Sequence, residues 1–134
     1  MIDFEIVIPL NPVGKKNNMQ ILKGKNGRPF IAQSKRYKDY EKACLTYLPM
    51  YDKPITEPIT LCCTFYRETR RVVDLANLLE AVQDILVTAG ILADDCRDIV
   101  ASTDGSRVLY DKAYPRTVIK ITELREEYEQ WRKD

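Results

Sequence analysis

The chain has 134 residues, 45% of them hydrophobic, which is enough to bury one core without disulfides or metals as staples. It contains no histidine, which excludes Ser-His-Asp and Cys-His catalysis, imidazole-ligated zinc and a histidine general base; an enzyme built from it works with carboxylates, lysines and metals. The formal net charge of +1 conceals a division: residues 1–71 carry 13 Lys/Arg against 7 Asp/Glu, residues 72–134 carry 8 against 13, so the first part offers cations for phosphates and the second offers carboxylates.

No apolar run approaches the ~20 residues that cross a bilayer. The opening MIDFEIVIPL carries acids where a signal peptide carries lysines. The expectation is one cytoplasmic domain with no membrane partner. Four cysteines, Cys44, Cys62, Cys63 and Cys96, lack the paired spacings of a zinc site and are expected to be reduced.

In chain order, FEIVIPL alternates as a strand and Pro9 and Pro12 close it. GKKNN follows as a polar loop with Lys15 and Lys16. MQILKGKNGRPFIAQ predicts a hairpin about Asn26-Gly27, with Lys23, Lys25 and Arg28 at its tip as candidate phosphate contacts. Ser34 caps a predicted helix that Pro49 ends; Tyr37, Tyr40, Cys44, Tyr47 and Leu48 form its apolar stripe, and Lys35, Arg36, Lys38 and Lys42 face outward. A proline-rich loop, 52–58, precedes the β-rich run ITLCCTFYRETRR, read as a strand covered on both faces. That run delivers Arg67, Arg70 and Arg71 to a second helix. There Leu75, Leu78, Leu79, Val82, Ile85, Leu86 and Ala89 keep a helical period until Gly90, while Asn77, Glu80 and Asp84 lie on the other side. RDIVAS, SRVLYD and RTVIKITEL suggest three more strands. A charged tail of helical composition begins at about residue 124. The sum is a single α+β domain over 1–134, a mixed sheet with two principal helices packed on it.

Asp74, at the mouth of the second helix, and Asp94–Asp95, beyond its end, pose the functional question. Hard Mg²⁺ is held by carboxylates and leaves positions for water and phosphate, the arrangement that cleaves a phosphodiester. Asp74 is equally well placed to be the helix N-cap. About 16 helical residues span ~24 Å, so the two ends meet only if the chain doubles back. Asp104, in STDGSR, reads as a turn residue.

RRVVDLANLLEAVQDILVTAGILADD resembles the signature of the RusA family of Holliday-junction endonucleases: a basic approach, D-L-D-N-L-x-K-A, then D-A-L, A-G and a D-D pair. Asp74, Leu75, Asn77, Leu78, Ala81, Asp84, Leu86, Ala89, Gly90, Asp94 and Asp95 fall in register, and PLNPVGKKNN, GRPFIAQSKRYKDYEKA and AYPRT extend the likeness to phage and prophage members. The resemblance implies a homodimeric, Mg²⁺-dependent nuclease that nicks four-way DNA junctions symmetrically and uses no small-molecule cofactor. It makes Asp74 and Asp95 metal-binding catalytic residues, with Asp94 in support.

This chain has Ala76 where the family has its second Asp, and Glu80 where it has Lys. Positions four apart share a helix face, so one reading has Glu80 supply the missing carboxylate as a metal and catalytic residue. The other has an emptied site and a catalytically silent junction-binding protein. In either, Lys15, Lys16, Lys23, Lys25, Arg28, Arg67, Arg70, Arg71 and Lys112 are the candidate DNA contacts. They would grip backbone without reading sequence.

Overall fold

The structure, a computed structural model, describes residues 1–15 and 19–124; of 19–22 and 30–33 it describes the backbone only. Lys16 and the tail beyond Leu124 lie outside the described residues. In chain order the elements are β1 (Asp3–Ile8), β2 (Met19–Lys23), β3 (Pro29–Gln33), α1 (Lys35–Leu45), β4 (Ile59–Arg67), α2 (Leu75–Thr88), β5 (Val100–Ser102), β6 (Arg107–Tyr110) and β7 (Arg116–Glu123). The α+β expectation holds: five strands make one mixed sheet, and two helices accompany it.

β7 lies between β1 and β4 and is antiparallel to both. The other edge of β4 is shared, with β5 beside its first residues and β6 beside its last, each parallel to it. Between these two short strands the chain detours at 103–106, where Gly105 takes φ +85°. Ser106 fills the gap in the ladder: its Oγ accepts from the Cys63 N–H (3.0 Å) and donates to the Leu61 carbonyl (3.3 Å). Asp104 sits exposed in this turn and its N–H donates to Ser102 Oγ.

β4 is rich in β-branched and aromatic residues that suit a pleated, packed surface. It departs from the reading of a strand covered on both faces. Ile59, Leu61, Cys63 and Phe65 are buried while Thr60, Cys62, Thr64 and Tyr66 are half-exposed, so only one face enters the core. Ile119 and Ile121 of β7 and Leu78, Ile85 and Leu86 of α2 belong to the same buried cluster.

α1 starts where Ser34 Oγ accepts the Tyr37 N–H (3.2 Å). It stops at Leu45, short of Pro49, and that early stop corrects its stripe: Tyr37, Tyr40 and Cys44 are buried, but Tyr47, beyond the last turn, is 48% exposed. α2 ends as its sequence predicts, with Gly90 at φ +76° just after the Ala89 cap. One residue of α2 is placed differently. Asn77, read as outward-facing, is 2% exposed, because the loop at Gly14 packs on its side-chain amide. Among the described residues no helix is long and apolar enough to cross a membrane.

Beyond Gly90 the chain is pinned rather than free. Ile91 and Leu92 N–H groups donate back to the Leu86 carbonyl, and Ile55 exchanges hydrogen bonds with Ile91 and Ala93. This anchoring turns Asp95 back onto the last turn of α2.

Candidate active site

Two acidic and basic environments lie at the two ends of α2. At its start Asp74 is exposed and caps the helix, its Oδ1 accepting the Ala76 N–H at 3.1 Å. Capping occupies one carboxylate oxygen and leaves the other outward, so the cap and ligand readings of Asp74 are compatible. Just before it, the segment from Arg67 to Val73 and the loop from Asn11 to Gly14 enclose a polar cleft of about 320 Å³, to which Arg36, Arg67 and Arg71 contribute. The two walls are tied together where Asn11 Oδ1 accepts the Glu68 N–H at 2.9 Å. Arg70 turns elsewhere, its guanidinium 4.2 Å from the centre of the Tyr110 ring.

At the far end a second cleft of about 330 Å³ is lined by Lys15, Glu41, Asp84, Val87, Thr88 and Asp95. Lys15 Nζ donates to Asp84 Oδ2 at 2.6 Å, with both side chains roughly a quarter exposed. The hydrogen bond to Asp84 holds the Lys15 ammonium above its usual basicity, and the charges of Glu80 and Glu41 add to it. Asp95 is crowded: partial desolvation, a hydrogen bond with Asp94 and the charge of Asp84 push its carboxyl upward. The Asp95 N–H donates to Asp94 Oδ1 at 2.7 Å. Beneath the cleft, burial pushes the Tyr37 hydroxyl well above its ordinary range, and the charges of Glu41 and Asp84 add to the shift.

Asp74 and Asp95 therefore stand at opposite ends of α2. The ten residues from Asp74 to Asp84 alone rise by roughly 15 Å. Ala76, Glu80 and Asp84 follow at four-residue intervals along one face between them, Ala76 exposed and the two acids half-buried. Among the described residues no group of three or more His, Cys, Asp or Glu side chains comes together as a metal cage. The chemistry of the donors nonetheless fits Mg²⁺, which needs only one or two carboxylates and completes its shell with water and substrate phosphate oxygens. The crowding of Asp95 by Asp84 and Asp94 is the kind of like-charge contact that a dication relieves.

The sequence reading missed Glu41, Arg36 and the site role of Asp84. Asp84 carried a signal, standing four residues after Glu80 on the same face. Glu41 and Arg36 carried none, since both come from α1 and meet their partners only through the tertiary fold. Of the remaining candidates, Lys23, Lys25 and Arg28 are exposed around the β2–β3 hairpin, and Lys112 is exposed in the turn after β6. Next to that turn Arg116 pairs with Asp111 (2.9 Å) and covers the rings of Tyr66 and Tyr114.

The fold and site thus define a small α+β domain that carries carboxylates along one helix and arginines at that helix's start. The family model for endodeoxyribonuclease RusA matches residues 9–122, and the chain belongs to this family of Holliday-junction endodeoxyribonucleases. RusA-type resolvases are generally dependent on a divalent metal and act on branched DNA as dimers. No individual curated protein matches the chain.

Proposed function

We propose that this protein is a Mg²⁺-dependent, structure-selective endonuclease that works as a homodimer on four-way DNA junctions in the cytoplasm of a bacterial or phage-infected cell. The observation that carries the reading is the crowding of Asp95 against Asp84 in an open cleft, with Glu80 near enough to act on the same lysine. The charge of Glu80 acts on Lys15 of that cleft, and on this reading Glu80 compensates for Ala76.

Asp95, with Asp94 in support and Glu80 on the helix face beside it, would hold one metal ion at the Lys15 end of α2, while Asp74, at the other end of the helix, would hold a second ion rather than share the first. A bound Mg²⁺ supplies a water of lowered pKa and offsets charge on the attacked phosphate. The chain's own residues do the rest. Lys15 holds the Asp84 carboxylate in place through their 2.6 Å hydrogen bond. Arg67, Arg71 and the exposed lysines of the hairpin draw the phosphate backbone to the α2 face, so binding should weaken steeply with salt.

A silent junction-binding protein is the second reading. It is favoured by the lack of a three-residue metal cage among the described residues. A nicking assay on synthetic four-way junctions with Mg²⁺ separates the two. Under the nuclease reading the native chain nicks, and Asp74→Asn and Asp95→Asn each abolish nicking while sparing junction binding. Binding without nicking by the native chain, with cleavage gained by Ala76→Asp plus Glu80→Lys, would establish the silent reading instead.

A further inference from the structure

The cleft before α2 has features that a solvated patch of arginines lacks. Arg36 comes from the first turn of α1, Arg67 from the last residue of β4 and Arg71 from the segment leading to Asp74, so three separate elements bring three guanidinium groups to one cavity. Arg67 Nη1 donates to the Arg71 carbonyl at 2.8 Å. Its Nε is shut off from solvent and has no acceptor. A buried donor without a partner is costly, and charged donors more so, which makes an absent acceptor the natural completion. Burial and the charges of Arg36 and Arg71 together lower the basicity of Arg67, with Glu68 alone opposing them. Other arginines are satisfied within the chain: Arg70 on Tyr110, Arg97 beside Asp98, Arg116 on Asp111.

We propose that the Arg36–Arg67–Arg71 cleft is a phosphate seat, holding one phosphate group of the DNA strand that passes the start of α2. The inference rests on the nucleic-acid reading above and adds a specific subsite to it. A phosphate supplies several acceptor oxygens to a group of planar, forked donors and neutralises the mutual repulsion of the three cations. Val73 lines the cleft and Asp74 follows it in the chain, so a phosphate seated there fixes the strand beside the first candidate ligand.

Two sources share this chemistry: an internal phosphodiester and the phosphate at a strand end. The first experiment uses orthophosphate alone, without DNA or Mg²⁺, so it tests the seat whether or not the protein is a nuclease. Orthophosphate at matched ionic strength should raise the melting temperature of the native chain. Arg36→Gln with Arg71→Gln, both at exposed positions, should lose that rise and still melt cooperatively. The second experiment measures junction binding with single methylphosphonate substitutions along each strand, and with strand ends dephosphorylated. An internal source gives about a tenfold or greater loss at one backbone position, and the double variant shows no such position-specific loss; a terminal source gives it only on dephosphorylation. The proposal is overturned if orthophosphate stabilises the native and double-variant chains equally or not at all. It is likewise overturned if both lose affinity equally at every substituted phosphate.

Discussion

Gly14→Ala tests how the site is held together. Gly14 is buried, and a Cβ built on it would stand 2.8 Å from Asn77 Cγ and closer still to the side-chain nitrogen. The backbone at Gly14 is not in the left-handed region, so the clash alone decides the outcome. Asn77 is 2% exposed, and Leu78 and Ala81 on the same helix are buried as well. Overpacking of this kind costs typically ~1–3 kcal/mol. For a domain of this size 1 kcal/mol moves the melting temperature by roughly 3–5 °C, so a fall of about 3–15 °C is expected by calorimetry. The loss should come with weaker nicking, because residues 11–14 form one wall of the arginine cleft and lead directly to Lys15, which pairs with Asp84. Asn77→Ala in the same chain removes the atoms that the new Cβ meets, so the combined loss should fall below the sum of the two. A Gly14→Ala protein melting within about 1 °C of the parent would refute the reasoning: the loop would then yield freely, and the close approach would not fix Lys15.

Lys15→Met should destabilise by about 1 kcal/mol at neutral pH, the worth of a half-buried charge-assisted hydrogen bond. Because folding raises the Lys15 pKa, the pair's contribution is complete below the unfolded lysine value of about 10.4 and fades as pH rises through the higher folded value. Urea titrations of both chains from pH 7 to 11 should therefore show the difference narrowing above about pH 10.4, and a constant difference would disprove the linkage. Asp95→Asn should raise the metal-free melting temperature at pH 7 while abolishing nicking. The folded state holds the Asp95 carboxyl above its ordinary pKa, so its contribution is greatest when protonated and declines as pH rises through that value. A lowered melting temperature in Asp95→Asn would show that the charge is supported rather than strained.

Local signals were legible where local chemistry sufficed. Asn26-Gly27 turns the hairpin with Gly27 at φ +73°, Ser34 and Asp74 cap their helices, and Gly90 stops α2. What the sequence hid was non-local. Nothing in RDIVAS or SRVLYD tells that both strands share one edge of β4 with Ser106 bridging the gap. The same limit governed Asn77: its helical phase matched an outward face, and only the docking of a loop more than sixty residues earlier in the chain buried it. Lys15 and Asp84, 69 residues apart, are the site's shortest contact and were unreadable as a pair.

The structure changes what the substitutions at positions 76 and 80 mean. Ala76 and Glu80 are one helical turn apart on the face that runs from Asp74 toward Asp84, a rise of about 6 Å. With Ala76 in place of a carboxylate and Glu80 in place of a lysine, negative charge is withdrawn from the arginine end and added at the Lys15 end. That displacement leaves Asp74 as the carboxylate at the start of α2, next in the chain to Val73 of the arginine cleft, and it sets Glu80, Asp84, Glu41 and Asp95 around a lysine from another part of the chain. A lysine on the helix and a lysine brought by the loop both put an ammonium beside the same carboxylates. On this argument Lys15 does the electrostatic work of the replaced helix lysine, and Glu80→Lys alone should repel Lys15 and loosen the loop. Under the nuclease reading that single substitution should also weaken nicking by the native chain, and adding Ala76→Asp should return the carboxylate to the other end and recover it.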